Sequence, residues 1–151
     1  MDVEAIYLRH VDTVYRVCYS FMGNAADSED ATQSTFVKLM KARPTLTNEE
    51  HEKAWLIRVA SNHCKDVLKS SARKGVSLES VAEPAADERG PDLALDAVLA
   101  LDSKYKDVVY LHYYEGYSAA DIARMLGKPS STVRTHLREA RAILRKALGG
   151  Q

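Results

Sequence analysis

The stretch "SAADIARMLGKPSSTVRTHLREARAIL", residues 118–144, decides how the rest of the chain is read. It divides into two short amphipathic helices around Gly127-Lys128-Pro129. Ser118 followed three residues later by Asp121 is a capping-box-like start, with the carboxylate near the positive end of the helix dipole. Ile122, Ala123 and Leu126 share the inward face, and the small Ala123 lets a second helix approach closely. Gly127 is placed to take the left-handed conformation that ends the first helix, and Pro129 stops it while presetting the next. Ser130 or Ser131 is expected to cap the second helix, in which Val133, Leu137, Ala140 and Leu144 form an inner stripe. Thr132, Arg134, Thr135, Arg138 and Arg141 are left outside. A helix-turn-helix of this kind lays its second helix in the major groove, early residues at base edges and later ones near phosphates. Thr132, Arg134 and Thr135 are therefore candidates for base reading, and Arg138 and Arg141 for positioning on the backbone. A solvated arginine face on an ordinary helical hairpin is the plainer alternative.

Charge favours the first reading. The formal net charge is +0, yet it is unevenly spread. Residues 1–75 carry 11 Lys+Arg and 10 Asp+Glu, residues 76–118 carry 3 and 9, and residues 119–151 carry 7 and 2. A neutral total thus conceals an acidic middle and a basic end, and phosphate responds to the local patch rather than to the average.

A chain of 151 residues, 46% hydrophobic and 28% charged, has the composition of a soluble globular protein, of one ordinary domain or two small ones. The start "MDVEAIYLRHVD" is acidic where a signal peptide needs a basic region, and no apolar run approaches the roughly 20 residues of a membrane span. A cytoplasmic location is expected. Cys18 and Cys64 stand singly in helical patterns, without CxxC spacing. Reduced thiols serving as small apolar residues are the expectation, ahead of a metal site using His63 or a redox role.

Nearly everything else reads as helix. "VEAIYLRHVDTVYRVCYSFM" places Ile6, His10, Val14, Val17, Cys18 and Phe21 on one face. Asp27 or Ser28 is expected to cap the next helix, with Ala31, Phe36, Leu39 and Met40 as core positions, and Pro44 ends the pattern. "AWLIRVASNHCKDVLKSSARK" follows as a long helix with Leu56, Val59, Ala60, His63 and Val67 inward. Between about Gly75 and Pro91 two prolines, two glycines and an acidic excess read as a flexible linker. Helix resumes with "DLALDAVLALDSKYKDVVYLHYYEGY". The fold class is all-α: two small helical domains, residues 1–75 and 92–151, joined by a linker over 76–91.

Nothing here is arranged for covalent chemistry. Asp27, Glu29 and Asp30 crowd a helix start, where they favour the dipole and stay solvated, unlike a buried acid/base pair. No catalytic residue, metal ligand or cofactor is assigned.

Taken together, "DSEDATQSTFVKL", "WLIRVASNHCKDVLK" and "LHYYEGYSAADIARMLGKPSSTVRTHLREAR", in this order and covering nearly the whole chain, resemble the bacterial extracytoplasmic-function (group IV) sigma factors. The resemblance implies two helical domains, regions 2 and 4, that bind RNA polymerase core through the β′ clamp and the β flap and recognise promoter DNA. Carried over by position, Asp30, Gln33 and Phe36 belong to the helix that docks on the clamp, with Gln33 exposed and Phe36 largely core. The Trp-led helix handles the −10-type element by holding flipped bases. Asn62 matches the family's recurrent Asn, with Arg58, Lys65 and Lys69 on or beside the same strip. A polar side chain for an unstacked base, flanked by cations for the strand, suits that task. Trp55 reads as a core anchor rather than a stacking platform. Ser131, Thr132, Arg134, Thr135, Arg138 and Arg141 fall on the helix that reads the −35-type element.

Three positions depart from the family's commonest pattern. Ser131 stands where Gly is frequent, and His136 and Glu139 where Arg is frequent, so Glu139 removes a positive charge beside the phosphates. The expected function is transcription initiation, with no membrane and no small-molecule substrate, and with an anti-sigma protein as a further partner of the kind the family uses. The alternative is a stand-alone helix-turn-helix regulator binding a palindromic operator as a dimer, without polymerase.

Overall fold

Asp2 starts the first helix by accepting the Ala5 N–H at 3.1 Å, and the apolar period of the residues that follow carries α1 from Val3 to Met22. Gly23 ends it in the left-handed conformation (φ 77°), its N–H reaching the Tyr19 carbonyl. All six residues expected on the inner face of α1 are buried. The chain re-enters helix at once, because Asn24 in extended conformation caps α2 (Ala25–Ala42) by accepting the Asp27 N–H at 2.9 Å. The cap is thus Asn24, and neither Asp27 nor Ser28. Asp27 instead closes a reciprocal bond, its carboxylate accepting from Asn24 Nδ2 at 2.9 Å. Ala31, Phe36 and Leu39 are core as expected, whereas Met40 is 52% exposed and belongs to the surface. The helix stops at Arg43, which takes a left-handed conformation (φ 43°) immediately before Pro44.

The third helix, α3, runs Glu49–Arg73. Leu56, Ala60 and, beyond the expectation, Ile57 and Cys64 are fully buried, while Val59, His63 and Val67 are only half-buried. Each of α1, α2 and α3 packs on the other two. Glu52 enters this bundle as a buried carboxylate held by Arg9 Nε and Nη2 at 3.0–3.1 Å and by His10 Nε2 at 2.9 Å. Burial alone raises its pKa. The hydrogen bonds from His10 and Arg9 and their charges outweigh that, and the carboxyl titrates below its usual value.

This computed structural model describes residues 1–73 and 93–149, and the linker expected over 76–91 lies outside them. The chain divides into two compact units, α1–α3 in the first. The second begins with α4 (Leu93–Leu99), and α5 (Ser103–Val109) follows after a break, so the expected continuous helix is interrupted. Asp102 causes the interruption by capping a new helix start, accepting the Lys104 N–H at 3.0 Å. A π turn, Tyr110–Tyr114, extends α5, closed by the Glu115 N–H on the Tyr110 carbonyl at 3.2 Å. Then come α6 (Ala119–Leu126) and α7 (Ser130–Ala147), with α4, α5 and α6 packed on α7. Every described element is helical. Among the described residues no helix is long and apolar enough to cross a membrane.

Candidate nucleic-acid interface

The second unit builds a helix-turn-helix from α6 and α7. Ser118 caps α6 by accepting the Asp121 N–H at 3.1 Å, and Gly127 ends it at φ 68° with its N–H on the Ala123 carbonyl. Ile122, Ala123 and Leu126 are buried against Val133, Leu137 and Ala140, the inner stripe of α7, and Leu144 is half-buried. The cap of α7 differs from expectation. Pro129, extended at ψ 140°, occupies the N-cap position with no side-chain bond, and Ser130 is already helical. The proline ring fixes the φ needed to enter the helix, so both serine hydroxyls are left outward of the cap.

The turn is pinned to α5. Asp107 is 1% exposed, accepts the Val108 N–H at 2.8 Å, and pairs with Lys128 of the turn at 3.6 Å. Arg124 likewise pairs with Asp121 on its own helix. Two of the unit's cations are thereby committed internally. On α7, Arg134, Arg138 and Arg141 are exposed, as is Ser131, while Thr132 and Thr135 are half-buried. Ser131, Thr135 and Arg138 lie opposite the Val133–Leu137–Ala140 stripe of α7, Thr132 and Arg134 lie on its two flanks, and Arg141 lies on the Arg134 flank. Arg141 is held at its base, its Nε donating to the Tyr113 hydroxyl at 3.1 Å.

His136 and Glu139 face α5. The Tyr105 hydroxyl donates to Glu139 at 3.2 Å, and the His136 ring meets the same tyrosine edge-on at 5.6 Å. Among the described residues His136 Nδ1 has no hydrogen-bond partner, although it is buried. Burial, then Lys128 and Lys104, lower the imidazole pKa against the opposing pull of Glu139 and Asp107, so the ring titrates below the usual histidine range.

In the first unit, Arg58, Asn62, Lys65 and Lys69 recur at intervals that place them along one strip of α3, about 16 Å long at 1.5 Å per residue. Arg58, Asn62 and Lys69 are exposed and Lys65 is half-buried. A short helix surface thus alternates cations around one amide, which suits a single strand with a base turned out. Trp55 is half-buried in the second turn of this helix, which begins at Glu49 rather than at the tryptophan. His63, beside the strip, is in contact with Lys38 of α2 at 3.1 Å. Burial and then that ammonium lower its pKa.

Comparison with known proteins adds the decisive observation. The family model for sigma-70 region 2 matches residues 6–74, and that for sigma-70 region 4 matches residues 92–144. The chain is a sigma-70 family protein of the extracytoplasmic-function group. It is 32% identical to the ECF RNA polymerase sigma factor BldN of Streptomyces coelicolor over 86% of this chain, and 30% identical to SigE of Mycolicibacterium smegmatis over 96%. It spans 54% and 61% of the lengths of those two relatives. Its fold matches that of the sigma factor RpoE from Bartonella quintana, solved with the anti-sigma factor NepR. That match has a TM-score of 0.76 at 23% identity, covering 98% of this chain and 97% of that one.

Within this sigma factor the α2 surface is more apolar than the sequence reading allowed. Asp30 and Gln33 are exposed. Phe36 is 5% exposed and offers no surface to a partner, because its ring is covered by Tyr7 at 4.9 Å in an edge-on contact. Val37 and Met40 take its place on the outside, 42% and 52% exposed on the helix side shared with Gln33. Apolar character alone does not distinguish a core position from an outward one, and the sequence pattern does not set these two apart. Cys18 and Cys64 are both buried, as thiols. A hydrogen bond with Cys64 lowers the Cys18 thiol pKa, against burial and with help from Thr32. No group of three or more His, Cys, Asp or Glu among the described residues could hold a metal ion.

Proposed function

We propose that this chain is a transcription initiation factor that binds RNA polymerase core and directs it to promoters. The observation that carries the proposal is the pairing, in one chain, of two dissimilar nucleic-acid surfaces. One is an amide-centred cationic strip on α3, and the other is an arginine-faced helix-turn-helix in a separate unit. A dimeric repressor has use for the second and none for the first.

The division of labour follows from the chemistry. Ser131, Thr132, Arg134 and Thr135 of α7 read base edges of a −35-type element, and Arg138 and Arg141 fix the helix on phosphates. Arg58, Asn62, Lys65 and Lys69 hold the displaced strand of a −10-type element, with Asn62 supplying hydrogen bonds to an unstacked base. Asp30 and Gln33, with Val37 and Met40 beside them, dock on the β′ clamp, and the second unit meets the β flap. Residues 1–75 act as region 2, 76–91 as the linker and 92–151 as region 4. Two weak DNA readers on one polymerase gain from their high effective concentration. The factor performs no covalent chemistry, needs no cofactor and works in the cytoplasm. The RpoE–NepR complex supports an anti-sigma protein as a further partner.

Core binding tests the docking assignment. The full chain should co-elute with bacterial RNA polymerase core, and a variant combining Gln33→Ala and Met40→Ala should keep its melting temperature and lose the complex. Undiminished binding by that variant would overturn the assignment of the α2 face.

A further inference from the structure

Tyr113 lies outside the helix-turn-helix proper, yet it touches the face of α7 that the proposed function assigns to DNA. Its position is set by the π turn, whose extra residue shifts the helix phase by about 100° relative to a continuing α-helix. Tyr114 stacks back on Tyr110 at 5.6 Å, while Tyr113, 48% exposed, stands beside α7. The ring is buttressed from behind. His112 meets it edge-on at 4.8 Å, and His112 is itself tied through Nδ1 to the Tyr117 carbonyl at 2.8 Å.

We infer that Tyr113 is a positioning residue for a DNA-backbone phosphate, holding Arg141 as the phosphate ligand. The Arg141 Nε–H is consumed by the Tyr113 oxygen at 3.1 Å, which fixes the plane of the guanidinium. The two terminal nitrogens then form the outward fork that grips two phosphate oxygens. Arg145 lies next along this flank of α7, and with Tyr113, Leu144 and Leu148 it lines a shallow surface depression. An arginine free to swing loses side-chain entropy when it binds, and one already held loses less.

This inference rests on the proposed DNA-reading role of α7, and the test separates the two. The full chain is titrated against a short random-sequence DNA duplex at several salt concentrations, because a phosphate contact is indifferent to sequence. The variants are Tyr113→Phe, Arg141→Ala and the double variant, with thermal melts of each. Tyr113→Phe should weaken binding about three- to tenfold, the worth of one hydrogen bond, with an unchanged melting temperature. In the Arg141→Ala background the same change should cost less than about twofold, since the group it orients is gone. Arg141→Ala should also reduce the salt slope by about one. If the wild type binds and Tyr113→Phe binds equally well, or costs the same in both backgrounds, the positioning role is overturned while DNA binding stands. Failure of the wild type to bind at low salt would overturn the DNA role of α7 and the inference with it.

Discussion

Tyr105, buried at the start of α5, donates its hydroxyl proton to Glu139 of α7 at 3.2 Å. The Glu139 carboxylate is therefore a tie between α7 and its support, α5. Replacing it should have two opposite consequences. Glu139→Arg leaves the Tyr105 hydroxyl without its acceptor and should lower the stability of this unit by about 1 kcal/mol in chemical denaturation. The same variant adds a cation beside the phosphates and should steepen the salt dependence of DNA affinity by about one. Full stability in Glu139→Arg would mean that the bond contributes nothing.

His136 shares the same tyrosine and supplies a pH dependence. Its folded pKa lies below the usual histidine value of about 6.5, so the unfolded chain binds more protons in that window. The stability contributed by the neutral ring is present above about pH 6.5 and is lost as pH falls through the depressed folded value. Thermal melts should show the second unit weakening as the solution is acidified through this range. Tyr105, Lys128, Lys104, Glu139 and Asp107 are the groups around the ring, and His136→Gln should flatten the profile. An unchanged slope in that variant would assign the effect to another group.

Glu52 gives the first unit a separate acid sensitivity. Its carboxyl is depressed below 4.5, so its stabilisation is present above that value and lost as pH falls through the folded pKa. Glu52→Ala removes the acceptor of both Arg9 and buried His10 and should cost on the order of 3 kcal/mol. Glu52→Gln keeps the shape and should cost less, so a larger loss for Gln than for Ala would contradict this account.

Arg134 separates base reading from phosphate contact. Arg134→Ala should weaken binding to the cognate −35-type sequence by about 1–3 kcal/mol and relax selection at one position of that sequence. An equal loss on all sequences would move Arg134 to the backbone group with Arg138.

The sequence reading succeeded where signals were local and periodic. The inner faces of α1 and α7, the Ser118 cap and the Gly127 turn all repeat or close within four residues, and each is found in place. It failed where apolar character or proximity was ambiguous. Met40 has a core-like side chain on an outward face, and Asn24 outcompetes Asp27 and Ser28 because Gly23 delivers the chain to it in extended conformation. Pro129 displaces the serines by fixing the entry backbone. The remaining features depend on partners remote in sequence: Glu52 reaches Arg9 and His10 across more than forty residues, and Tyr113 reaches Arg141 across 28. Nor does any periodicity announce a π turn, which is a single extra residue in an otherwise helical pattern.

In-vitro transcription with bacterial core polymerase and a randomised promoter library, with and without the full chain, tests the central claim most directly. The account predicts new transcripts only when the protein is present, from promoters sharing two short elements. It also predicts that Arg134→Ala changes selection in the upstream element and Asn62→Ala in the downstream one. Specific DNA binding without core binding or new transcripts would contradict the initiation-factor assignment and establish a stand-alone regulator in its place.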